Sequence, residues 1–298
     1  MQHIQSLINK ITDNNPLQTS FFKKVFTLLT EEEKNEFDNY IKYCCSSGKG
    51  IDFLSQSYNQ LLKDTLKEQF FFKRNNKYRY SKFSEVKKCI YDNENYMDMY
   101  MYGLAISSFL WHQHILIRRY FEKTIPKDNK GKYLEIGPGH GYYFASAMQK
   151  TSYNFFTGID ISKASVQNTC NILEYRFRNK YNNYEIIEAD FLTYKINDKF
   201  EAIIIGEVLE HVENPDLLLK KVSKTANFDT YIFLTTCINA PMIDHIYLFR
   251  TIDEVDDLIT NSGLGIVDKL YAPCLGETFE SSMDKQLPLN VAYQLTIL

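Results

Sequence analysis

The 298-residue chain has no run of about eighteen apolar residues, so no transmembrane helix is expected. Its first residues, Met1-Gln-His-Ile-Gln-Ser-Leu-Ile-Asn-Lys10, lack a basic stretch followed by an apolar one, which argues against a secretory leader. The six cysteines (44, 45, 89, 170, 237 and 274) form no C-x-x-C pair and have no metal-site spacing. They read as reduced thiols, and a cytoplasmic location is expected. A strong basic excess is also missing. Residues 1–130 carry 20 Lys/Arg against 15 Asp/Glu and residues 131–298 carry 14 against 22, giving +5 and −8, which argues against a nucleic-acid partner. What the chain does have is 44% hydrophobic and 15% aromatic residues, enough for a sizeable core.

Residues 1–125 carry helical signals. Thr30-Glu-Glu-Glu33 has capping-box spacing and predicts a helix through Phe37, Tyr40, Ile41 and Cys44, stopped by Ser46-Ser-Gly-Lys-Gly50. Short helices are expected at Ile51–Tyr58 and Gln60–Glu68. Gln69 to Tyr80 reads as a hairpin turning at Asn75-Asn76, with Lys73, Arg74, Lys77, Arg79 and Lys82 along it. Helices plus hairpin make a winged-helix-like module. A long helix or helix pair spans 96–121, and 126–131 is a linker. Beyond it, strands are expected at 132–136, 154–159, 184–187, 200–205, 229–236, 264–271 and 288–297. Helices are expected at 141–149, 162–178, 213–225 and 250–261. This alternation predicts an α/β fold: a Rossmann-like, seven-stranded, mostly parallel sheet with the final strand antiparallel at or near one edge. The domains are then 1–125, helical and accessory, and 126–298, ligand-binding.

Four stretches carry chemistry. Tyr133-Leu-Glu-Ile-Gly-Pro-Gly-His-Gly141 places a glycine turn between a strand and a helix. Its spacing is not G-x-G-x-x-G, and no lysine follows to hold a phosphate. Glu135 ahead of it suits a ligand with an ammonium or other cation. Gly158-Ile-Asp160-Ile161 ends the second strand, where a carboxylate can accept from ribose hydroxyls. Glu188-Ala-Asp190-Phe191 follows the third, with Asp190 able to accept from an adenine amine and Phe191 to pack near the ring. Gly206-Glu207-Val-Leu-Glu210-His211-Val212 ends the fourth, on the side where open sheets bind ligands.

With these motifs, residues 131–298 resemble class I S-adenosylmethionine-dependent methyltransferases. The resemblance implies a sheet whose sixth and seventh strands are antiparallel, and S-adenosylmethionine as cofactor. It implies that Glu135 and the Gly137-Pro138-Gly139 turn lie near the methionine moiety, Asp160 on the ribose and Ile161 against the adenine. Asp190 and Phe191 hold the adenine, and Glu207 lies where the fourth strand reaches the cofactor. The expected reaction is methyl transfer to a small organic acceptor, preferably at oxygen.

Asp244 and His245, on the loop after the fifth strand, and His211 are the candidate catalytic residues. If helical, Glu207, Glu210 and His211 share one face and with His245 make an O/N divalent-metal set. There the chain is similar to plant-type small-RNA 2′-O-methyltransferases, departing at Val212. This keeps a metal-dependent RNA methyltransferase open as an alternative, as is a non-catalytic cofactor-binding scaffold; the main reading has no metal. More faintly, the N-terminal half resembles the winged-helix dimerisation domain of small-molecule O-methyltransferases, and Tyr100, Trp111 or His114 would line an acceptor pocket. Its aromatic helices need more burial than about 125 residues supply, so a homodimer is expected.

Overall fold

The structure is a computed structural model describing residues 1–178 and 180–298. The N-terminal part is helical: α1 (Gln2–Asn14), α2 (Gln18–Leu28), α3 (Glu31–Ser46), α4 (Ile51–Asn75), α5 (Phe83–Val86), a π-turn at Lys87–Tyr91, α6 (Glu94–Leu110) and α7 (His112–Thr124). Helix α3 starts at the capping box. The Thr30 hydroxyl accepts from the Glu33 amide (3.2 Å), and the Glu33 carboxylate accepts from the Thr30 amide (2.8 Å).

The expected hairpin at 69–80 is not formed. Helix α4 runs unbroken for 25 residues, taking in both short helices and the aromatic run. Phe72 is buried and Phe70 exposed, an alternation set by the helix turn. Asn76 adopts φ 50° and its amide bonds the Phe72 carbonyl. Asparagine's tolerance of the left-handed region, which suggested a hairpin turn, here ends a helix. Arg79 folds back onto the Glu68 carboxylate (2.9 and 3.0 Å), so no basic wing projects. The apolar segment at 96–121 is a helix pair, broken where Trp111 is extended (ψ 128°).

The second part alternates as expected except for a short helix between the last two strands, where none was expected: β1 (Lys132–Ile136), α8 (Tyr142–Lys150), β2 (Phe155–Asp160), α9 (Lys163–Phe177), β3 (Tyr184–Glu188), β4 (Phe200–Gly206), a 3-10 turn (Leu209–His211), α10 (Pro215–Thr225), β5 (Ala226–Ile238), α11 (Ile252–Asn261), β6 (Leu264–Pro273), α12 (Phe279–Asp284) and β7 (Leu289–Ile297). The sheet order is β3-β2-β1-β4-β5-β7-β6, with β7 antiparallel to both its neighbours and β6 at the edge. The order reverses between β1 and β4, opening a crevice above their carboxyl ends.

Each sheet face is buried. One face packs Ile203, Ile205, Leu234 and Val291 against Leu219 of α10 and Val255 of α11. The other packs Tyr133, Ile204 and Phe233 in one continuous core with α8, α9 and the N-terminal helices out to Leu7. Phe233 is central there, with ring centroids 5.1 Å from Phe121 of α7 and 5.9 Å from Tyr143 of α8. Phe233→Ala is expected to cost about 3–5 kcal/mol of stability, read from the urea midpoint at unchanged slope. A loss below about 1 kcal/mol would mean that the helices do not rest on this ring.

Candidate active site

The crevice opens into a cavity of about 1190 Å³ walled on one side by the sheet's loops and on the other by α4, α6 and α7. The β1–α8 turn forms part of its floor. Gly137, Gly139 and Gly141 all have positive φ (69°, 57° and 76°), and a Cβ at 137 would lie 2.8 Å from Val208 Cγ2. Side chains are excluded, so the backbone itself borders the cavity. Asp160 ties this turn down. Its carboxylate accepts from the Gly139 amide (3.1 Å) and the Ser162 amide (2.8 Å), and still lines the cavity. Burial pushes its pKa up to about 6, against the opposing effect of those two bonds. Ile161 beside it is 47% exposed, an apolar surface suited to a flat ring. Asp190 accepts from the Leu192 amide (2.8 Å) and Phe191 is buried beside it. The Lys221 ammonium donates to the carbonyls of Phe191 (2.5 Å), Leu192 (3.1 Å) and Tyr194 (2.5 Å), fixing this second turn.

Glu207 follows β4 with φ 54°, a conformation costly for a residue with a Cβ. Its amide is held by the Thr235 carbonyl (3.1 Å) and hydroxyl (2.9 Å). One carboxylate oxygen accepts from the Asn290 amide (2.8 Å), while the other is buried without a partner. An orphaned carboxylate oxygen on the wall fits a ligand ammonium. The donor set of this wall fits S-adenosylmethionine: Asp160 would hold the ribose, Ile161 and the Asp190 turn the adenine, and Glu207 the ammonium. Glu135 is placed differently. It lies beneath the turn, outside the cavity lining, and accepts from the Tyr133 hydroxyl (2.5 Å). Burial raises its pKa to about 8 despite that bond.

His211, Asp244 and His245 are brought together. The 239–250 loop is tied to the 3-10 turn by the Ile246 and Tyr247 amides donating to the Glu210 carbonyl (2.9 and 3.0 Å). His211 Nδ1 then lies 3.1 Å from the Asp244 carbonyl oxygen and 3.6 Å from its carboxylate. Donation from Nδ1 leaves Nε2 as the basic nitrogen. The Tyr100 hydroxyl donates to Asp244 at 2.7 Å, and burial raises that tyrosine's pKa, keeping it a donor. His245 is a different kind of residue. Its Nδ1 donates to the Ala240 carbonyl (2.7 Å), and burial pushes its pKa down to about 3, with His211 adding to the effect.

Glu207, Glu210 and His211 do not share a helical face, because the left-handed Glu207 precedes a 3-10 turn. Glu210 points inward, fully buried, and accepts from the Thr236 hydroxyl (2.8 Å). Among the described residues, the clusters of metal-ligand type are Glu210–Cys237–His245 and His211–Asp244–His245; Glu207 joins neither. Tyr100, Trp111 and His114 all line the cavity. Sequence reasoning missed Arg118, His140, Lys221 and Asn290. Asn290 carried a usable signal, being a strongly polar residue within an apolar run (Leu287 to Ala292).

A family described as a methyltransferase domain matches residues 110–261. Among curated proteins, the chain is similar to (S)-coclaurine N-methyltransferase of Papaver somniferum, 28% identical over 140 residues, or 46% of this chain and 37% of that one. It is also similar to probable (S)-tetrahydroprotoberberine N-methyltransferase 2 of Papaver bracteatum, 28% identical over 137 residues (46% and 36%). The match thus spans well under half the length of these relatives. Among solved structures, the mitomycin 7-O-methyltransferase MmcR shares the fold, with a TM-score of 0.54 at 14% identity over 83% of this chain and 70% of that one. The glycine turn, the carboxylate at the end of β2 and the sheet order therefore have one common explanation: the chain belongs to the class I S-adenosylmethionine-dependent methyltransferases.

Proposed function

We propose that the enzyme methylates an amine nitrogen of a small molecule carrying an aromatic or apolar body. The observation that supports nitrogen over the expected oxygen is the buried carboxylate of Asp244 on the aromatic side of the cavity. With Asp160, Asp190 and Glu207 taken up by the cofactor, Glu213 and Asp244 are the carboxylates left on the lining among the described residues, and Asp244 is buried and held by the Tyr100 hydroxyl at 2.7 Å. Tyr91, Met97, Tyr100 and Trp111 add an aromatic and thioether wall. Carboxylates with π faces recognise a protonated amine. The names of the Papaver relatives point the same way.

The bound cofactor supplies a methyl group on a sulfonium. The protein's own contribution is position and proton handling. Asp244 attracts the ammonium and, with the Tyr100 hydroxyl, fixes its direction. His211 Nε2 takes the proton that masks the nitrogen lone pair, while the Asp244 carbonyl holds the ring tautomer through Nδ1. Helices in residues 1–125 serve as an acceptor lid over the catalytic part, 126–298.

The test is a panel of aromatic amines and matched phenols, incubated with S-adenosylmethionine and read by mass spectrometry. Methylated amines without methylated phenols are expected. Exclusive methylation of phenols would reject nitrogen in favour of oxygen.

A further inference from the structure

Arg118 on α7 is 3% exposed and lines the cavity, yet its Nε and Nη1 have no hydrogen-bond partner. Two carboxylates lie at long ion-pair distance, beyond hydrogen-bond reach: Glu33 at 3.9 Å and Glu36 at 3.7 Å. Both have shorter partners. Glu33 is gripped by Arg119 at 2.7 Å, and Glu36 takes Arg176 at 3.2 Å. The guanidinium is instead sandwiched between the rings of Phe109 and Tyr142, each 4.7 Å from Cζ. The rings fix its plane and leave Nε and Nη1 without a hydrogen-bond acceptor.

Tyr142 is the first residue of the nine-residue helix α8, directly after the glycine turn, so Arg118 stands at that helix's positive end. His114 and His140 line the same end of the cavity, bonded to Ser107 and Ser108 at 3.2 Å each. Burial lowers the pKa of both to about 4, so they are neutral and Arg118 supplies the full charge there. A buried planar cation with idle donors beside a helix N-terminus calls for a carboxylate. The methionine end of the cofactor carries one, and Glu207 already accounts for its ammonium.

We propose that Arg118 recognises the α-carboxylate of the methyl donor, so that the helical layer takes part in cofactor binding as well as in covering the acceptor. This goes beyond the amine reading and does not depend on it. Three ligands separate the possibilities: S-adenosylhomocysteine, its decarboxylated counterpart, which keeps the amine, and methylthioadenosine, which lacks both groups. Calorimetry on the wild-type protein is expected to show S-adenosylhomocysteine binding about 10- to 100-fold tighter than the decarboxylated compound. Arg118→Met should shrink that ratio to about threefold or less while methylthioadenosine binding holds. Glu36→Gln, which removes only the outer neighbour, should leave the ratio intact.

Equal wild-type affinity for the first two ligands would overturn the proposal without any variant, even where Arg118→Met does not fold. So would an Arg118→Met protein that weakens all three ligands alike, the mark of a structural role. In either case methylthioadenosine binding would still report the nucleoside site separately, and the amine panel would report the acceptor separately.

Discussion

Asp160→Ala is expected to lower the affinity for S-adenosylhomocysteine by about 100-fold, measured by calorimetry at pH 7.5. Two ribose hydroxyls donating to one carboxylate make charge-assisted bonds worth about 1.5–3 kcal/mol each, and even the lower figures together reach a factor of about 100. The variant also frees the Gly139 amide, which Asp160 holds at 3.1 Å, and so loosens the turn that borders the methionine end. Methylthioadenosine keeps the ribose diol and should lose affinity by a similar factor. A loss confined to S-adenosylhomocysteine would contradict the ribose assignment.

The same carboxyl makes donor binding pH-dependent. Burial sets its pKa at about 6 in the free protein, above the usual aspartate range, because desolvation outweighs the two backbone amides. Hydroxyl donors stabilise the ionised form, so the ligand selects it. Affinity should therefore be flat above pH 7 and fall as pH drops through about 6, approaching tenfold per unit for this group below its pKa. Asp160→Ala should flatten that fall. Persistence of the full pH dependence in the variant would assign it to another group.

The cofactor half was legible because it depends on local chemistry. Three glycines in five residues predict a turn without side chains, Asp160 ends β2, and Asp190 follows β3 by two residues. Those spacings survive folding unchanged. Glu135 departs for a reason that two-residue periodicity contains. Strand β1 alternates faces, and Glu135 shares Tyr133's face, beneath the turn. The acceptor half was less legible, since it joins residues far apart in sequence: Tyr100 meets Asp244 across 144 positions. The helix–hairpin error at 69–80 has a similar origin. Phe70-Phe-Phe72 suits a strand by propensity, but burial of Phe72 against Tyr78 and the rest of the helical layer decides for helix.

His211→Gln is expected to lower kcat by about 100- to 1000-fold while leaving affinity for S-adenosylhomocysteine within about twofold, the usual scale for losing a positioned base. Glutamine retains a side-chain N–H for the Asp244 carbonyl but has no basic nitrogen, so size and local bonding change little while proton acceptance disappears. Asp244→Asn should raise the acceptor KM, because it removes the negative charge that attracts the ammonium and leaves the Tyr100 hydroxyl with a neutral acceptor. His245→Gln separates the two histidines. That ring is buried, its pKa lowered by burial, and its Nδ1 is committed to the Ala240 carbonyl at 2.7 Å, so it is expected to support the loop and exchange no proton. Its replacement should cost about tenfold or less in kcat, together with a lower melting temperature. If His245→Gln matched His211→Gln in kcat with the melting temperature unchanged, the base would be His245, and the ring facing the cavity from the 3-10 turn would be the positioning group.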